Sequence, residues 1–161
     1  NARLNLVLCY NTDFLQRTAG HDPLPWRERA MRLAREAWTL EPDNPEVLAR
    51  LGWCHLRQQM WEDSEAMLRQ ALAHGPLHTD NLEQIGFAMV LLGLVDEGMG
   101  LLRQAFRLNP FPRSDYFADI AIAMLLQGDA KGAAQQLDLA ADRSILYQAV
   151  HAACLGLISE K

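Results

Sequence analysis

The chain has 161 residues, 50% of them apolar and 22% charged, with a net charge of −5. This composition argues against disorder and gives enough chain for one domain with a substantial core. The sequence holds no block of Lys and Arg, no stretch near the ~18 apolar residues of a membrane span and no signal peptide, so it reads as a soluble, cytoplasmic chain with neither nucleic acid nor membrane as a partner.

Helical periodicity dominates, and no alternating run long enough for a sheet occurs. An apolar first helix around Leu4 to Leu15 is followed by the loop "TAGHDPLPW" and a second helix carrying Ala30, Ala34 and Ala37. Pro42 ends that stretch, and Pro76 and Pro110 recur at intervals of thirty-four residues. Asn44 before Pro45, and Asp80 three residues ahead of Glu83, look like helix starts. Between the prolines the same pattern repeats: Leu48, Leu51 and Gly52 with Ser64, Leu68 and Ala71, then Leu82, Ile85 and Gly86 with Gly98, Leu102 and Ala105. After Pro110 it continues with one inserted residue as Phe117, Ile120 and Ala121, then Ala133, Leu137 and Ala140. A last apolar helix runs from Ile145 to Ile158. The chain opens Asn1-Ala2 without methionine and is read as part of a longer protein. Cys9, Cys54 and Cys154 have no metal-type spacing and read as free thiols in a reducing compartment.

A period of this length signals stacked supersecondary units. Antiparallel helices approach closely only where small side chains meet, and proline stops each second helix because it lacks an N–H and clashes with a continuing turn. Each unit is therefore a helical hairpin that buries its apolar face only against its neighbours. The prediction is an all-α solenoid of about four hairpins plus a C-terminal helix. The first hairpin covers about 2–41, further repeats about 44–75, 78–109 and 113–142, and the terminal helix about 145–158.

The pattern Leu48-Leu51-Gly52, Ser64, Leu68, Ala71, Pro76 and its echo Leu82-Ile85-Gly86, Gly98, Leu102, Ala105, Pro110 resembles the tetratricopeptide repeat, over roughly residues 30 to 140. More weakly, "RLNPFPRSDYFADIAIAMLLQGDAKGAAQQL" is similar to the final repeats that follow the effector domain in some bacterial class III adenylate cyclases and winged-helix transcriptional activators. The first resemblance implies a non-catalytic protein-interaction module. The second implies a regulatory or dimerisation tail of a larger signalling protein.

Sites of chemistry fare poorly against plainer readings. His74 and His78 have the spacing of a helical metal pair, but Gly75-Pro76 breaks the helix between them. Cys54 and His55 are adjacent, so on a helix they point in different directions, and both fall in the packed register. The glycines of "GLVDEGMG" lack the Gly-Lys-Ser/Thr of a phosphate loop, so Gly93 is read as a turn and Gly98 as a close helix contact. Arg35, Arg69 and Arg103 recur in register as a solvated face, interrupted by Asp138. No metal or cofactor is expected.

The first helix of each pair carries the informative residues. Trp53, Phe87 and Ile122 share one register position, Leu56, Val90 and Leu125 a second, and Arg57, Leu91 and Leu126 a third. Glu46, Asp80 and Asp115 lie near the helix starts, with Glu83 close by. In stacked hairpins these residues are expected to line an apolar groove with an acidic rim of Glu46, Asp80, Glu83 and Asp115, joined by Arg57. Its expected occupant is an apolar or helical protein segment, the chain's own terminus, or a second copy in a homodimer.

Overall fold

The computed structural model describes Val7 and residues 24–75, 77–140 and 145–159. Among them are eight helices and no strand: α1 (Leu24–Leu40), α2 (Pro45–Arg57), α3 (Trp61–Ala73), α4 (Thr79–Leu91), α5 (Val95–Leu108), α6 (Ser114–Leu126), α7 (Ala130–Leu139) and α8 (Ile145–Ser159). The expected helix around Leu4 to Leu15 lies, apart from Val7, outside the described residues, as do Pro76 and Cys9. The chain divides into two compact units, Asn1–Leu77 and His78–Lys161.

In the first unit α2 packs on both α1 and α3. Asn44 starts α2 as the sequence predicts, its side chain accepting the Glu46 N–H at 2.9 Å, with Pro45 in the first turn. Asn44→Ala is expected to cost about 1 kcal/mol, because an orphan amide of the first turn loses its acceptor. Thermal unfolding monitored by circular dichroism checks this. Gly52 admits Leu68, and the Ser64 hydroxyl donates to the Gly52 carbonyl at 2.9 Å in a buried bond. Val7, Ala30, Met31, Ala34, Leu51 and Cys54 form a continuous core around them.

In the second unit each helix from α4 to α8 touches the next in sequence, while α6 also contacts α4 and α8. Gly86 and Gly98 set the α4–α5 distance. A Cβ built at Gly98 would lie 2.5 Å from the Gly86 carbonyl oxygen, so the two backbones are in direct contact. Val90, Met99, Leu102, Ile120 and Ala123 fill the space between α4, α5 and α6. Ala118, Ala121, Ala133, Ala134, Leu137 and Cys154 do the same for α6, α7 and α8.

The hairpin turns repeat as closely as the helices. Gln59, Gly93 and Gly128 stand two residues past α2, α4 and α6, all at positive φ (61°, 87° and 86°). In each, the next residue's N–H returns to a carbonyl five residues back: Met60 to His55, Leu94 to Met89, and Asp129 to Met124. Cys54 and Cys154 are both buried. The start of α4 differs from the prediction. Its cap is His78, whose Nδ1 accepts the Asp80 N–H at 3.4 Å, and Asp80 lies inside the first turn, where its carboxylate is released for another role.

Candidate functional site

The predicted groove residues divide into three environments. Val90 is 1% exposed and belongs to the core between α4, α5 and α6, so its assignment to a groove wall is corrected. Thirteen-residue helices packed on two sides leave only a narrow free stripe, and this residue lies off it. Trp53 and Leu56 are also buried, at 8% and 6%. The Arg57 guanidinium lies over the Trp53 ring, 5.2 Å from its centroid. Burial, with Arg27 nearby, pushes the Arg57 pKa down to about 10. Trp53 is therefore a covered ring beneath a cation rather than an open anchor.

The α4 and α6 residues retain more exposure. Phe87, Ile122 and Leu125 are half-buried. Leu91 and Leu126, the last residues of their helices, are 47% and 58% exposed. The helices α4 and α6 are in contact, and Leu91 and Leu126 hold equivalent positions on them.

The acidic residues predicted for the rim also separate. Glu46 is exposed on α2, and Asp80 and Asp115 are partly exposed at the amino-terminal ends of α4 and α6. Glu83 is not on a rim: it is 2% exposed. It faces Asp119 of α6, itself 5% exposed, and the two carboxyls hydrogen-bond to each other. Burial raises both pKa values. For Asp119, which stands well above the ordinary carboxylate range, the hydrogen bond and negative charge of Glu83 add to the effect. For Glu83, Asp119 and Arg113 oppose the rise. Two carboxyls this close do not both ionise readily, so they share one proton.

Arg113, just before α6, completes the cluster. Its guanidinium nitrogens lie 3.8 Å from Asp80, 3.9 Å from Glu83 and 3.7 Å from Asp115, while its side chain stays 49% exposed. The Tyr116 hydroxyl donates to Asp80 Oδ1 at 2.8 Å, tying α6 to the first turn of α4. Arg113, Tyr116 and Asp119 were not singled out from the sequence. The available signal was the inserted residue after Pro110, which places "RSDYFAD" across from "TDNLE".

The remaining motifs take structural roles. His74 ends α3 near Asp43, at 3.9 Å, and His78 caps α4. His55 is mostly buried with Nδ1 3.6 Å from Asp63, and burial lowers its pKa against the pull of that carboxylate. Arg35, Arg69 and Arg103 are exposed, and Arg69 pairs with Glu65 one turn back at 2.7 Å. Among the described residues no group of three or more His, Cys, Asp or Glu could hold a metal ion, and no helix is long and apolar enough to cross a membrane.

Serial hairpins of ten- to fourteen-residue helices, joined by equivalent turns and seated on small residues at fixed intervals, define an all-α helical-repeat fold. Residues 27–83 match the tetratricopeptide repeat family. A TPR repeat-containing protein of Pseudomonas aeruginosa is 43% identical over 49 residues, 30% of this chain and 8% of that protein's length. The family match is thus confined to residues 27–83, and the chain spans less than a tenth of the length of that relative. The fold agrees over greater lengths with solved structures. Pseudomonas aeruginosa pilF gives a TM-score of 0.69 at 18% identity, covering 99% of this chain and 72% of that one. The Cut9–Hcn1 hetero-tetramer of the APC/C gives 0.68 at 16%, over 92% and 30%. The Thermobaculum terrenum O-GlcNAc transferase gives 0.63 at 21%, over 85% and 25%. At these identities the likeness is one of fold. Tetratricopeptide repeats are in general protein-interaction scaffolds. The similarity to cyclase and activator tails has no counterpart among these relatives and is not carried forward.

Proposed function

We propose that the chain is a non-catalytic protein-interaction module in a reducing, cytoplasmic setting, and that it binds an apolar or helical segment of a protein partner on the face formed by α4 and α6. The observation that carries this reading is the exposure of Leu91 and Leu126 at equivalent ends of two touching helices, next to half-buried Phe87, Ile122 and Leu125. Large apolar side chains at matched positions offer the i, i+3 and i+4 residues of a docked helix a surface to cover, and a few such contacts carry most of the binding energy. Trp53 and Leu56, already buried, contribute to folding instead.

A pull-down from the source cell with the wild-type chain and a Leu91→Ser, Leu126→Ser version tests the face without disturbing the core. The expected result is an unchanged melting temperature with affinity lowered at least about tenfold, equivalent to about 1.4 kcal/mol. Undiminished capture by the double variant removes the α4–α6 face as the site. A concentration-dependent dimer that the same substitutions abolish replaces the foreign partner with a second copy.

A further inference from the structure

The acidic cluster at the amino-terminal ends of α4 and α6 differs from a solvated patch of carboxylates. The Glu83 side chain is 3% exposed, yet its Oε2 accepts no hydrogen bond from any described group. Native proteins rarely leave a buried acceptor in this condition, because it has lost water without gaining a donor. The group aimed at it is Arg113 Nη2, 3.9 Å away and beyond hydrogen-bond reach. The same guanidinium stands 3.8 Å from Asp80 and 3.7 Å from Asp115, so it serves three carboxylates at ion-pair distance and satisfies none of them closely. Asp80, Glu83 and Asp115, with Asp119 hydrogen-bonded to Glu83, thus set four carboxyl groups around a single half-exposed guanidinium.

We propose that this cluster is a socket for a second guanidinium, delivered as an Arg side chain by the segment that docks on α4 and α6. The inference rests on the docking reading only for the identity of the carrier. A guanidinium suits the site because its planar fork spreads donors over separated oxygens, so one nitrogen reaches Glu83 Oε2 while another meets Asp80 or Asp115. A metal ion does not suit it, since the carboxylates form no group of three that could coordinate one. Arg113 is the socket's internal competitor: it holds part of the negative charge in check until a better-placed fork arrives.

The test uses blocked arginine, Nα-acetyl-argininamide, titrated into the full chain and followed by backbone amide shifts. Shifts should concentrate at residues 80, 83, 113 and 115 and saturate, while the blocked glutamine analogue produces none. Glu83→Gln, which keeps the shape and the contact to Asp119, should weaken binding at least about tenfold. Arg113→Gln should tighten it severalfold, because the competing charge is gone. Unchanged or weaker binding in Arg113→Gln overturns the proposal. So does a pattern of shifts spread over the whole surface that vanishes at about 0.15 M salt. Should Glu83→Gln fail to fold by circular dichroism, the Arg113→Gln arm decides alone. Phe87→Ala should leave blocked arginine binding intact, so the socket and the apolar docking face stand or fall separately.

Discussion

Gly98→Ala is expected to destabilise the unit that holds α4 to α8 by about 1–3 kcal/mol, the usual cost of overpacking. The sign is the informative part, since alanine is the better helix former by about 1 kcal/mol and would otherwise stabilise α5. The added methyl would stand 2.5 Å from the Gly86 carbonyl oxygen, 2.7 Å from Val90 Cγ2 and 2.8 Å from the Val90 nitrogen. Two of those three atoms are backbone, which cannot rotate aside, so α4 and α5 must separate. Gly100 is the control within the same helix. A Cβ there meets nothing within 4 Å, and Gly100→Ala should gain about 0.4–1 kcal/mol. For a unit of this size each kcal/mol moves the melting temperature by about 4–8 °C. If both substitutions shift it upward, the close contact of α4 with α5 is wrong.

The second large effect is a pH dependence of opposite sign in the two units. Glu83 and Asp119 have pKa values raised in the folded state. Their shared proton therefore contributes stability that is complete below the ordinary carboxylate range and is lost as pH rises through the raised folded values. Each pKa unit of difference between folded and unfolded chain is worth about 1.4 kcal/mol. Acidification from neutrality toward pH ~5 should accordingly stabilise the second unit. Asp119→Asn supplies an amide donor to Glu83 without borrowing a proton, so it should raise stability at neutral pH and flatten the dependence. His55 works the other way in the first unit. Its pKa is lowered by burial, so its contribution is present above about 6.5 and is lost as pH falls through the folded value. Equilibrium unfolding followed by Trp fluorescence reports the first unit, since all four tryptophans lie before residue 78. Amide shifts follow the second. A neutral-pH stability for Asp119→Asn below that of the wild type would contradict the shared proton.

The hairpin architecture was legible because each of its determinants is local. Small residues at Gly52, Ser64, Gly86 and Gly98 report close helix contacts through volume alone, and Asn44-Pro45 starts a helix through chemistry contained in two residues. The site was less legible because exposure depends on how many neighbours a helix has. Phe87 and Val90 sit one turn apart on α4, yet one is only partly buried at the edge of the core and the other closes it against Met99 and Leu102. Trp53 was misread for a similar reason: register placed it on the expected face, but it could not report that Arg57 lies over the ring. The buried acid pair was missed as a pair because Glu83 and Asp119 are distant in sequence and occupy different positions of their helices. Only the packing of α6 on α4 brings them together.

The hairpin turns have a kinetic consequence. Gln59, Gly93 and Gly128 each close a pair of helices through only a few residues, so the bulk of the native contacts join segments adjacent in sequence. Little chain entropy is surrendered before a hairpin gains its first packing energy, so each hairpin is expected to form on the order of microseconds to milliseconds, as in low-contact-order folds. Gln59 is the strained turn of the three, because it alone among these turn residues brings a side chain into the left-handed region. A Gln59→Gly chain should refold its α2–α3 hairpin no slower than the wild type, and inserting flexible residues at this turn should retard refolding more than it shifts the equilibrium.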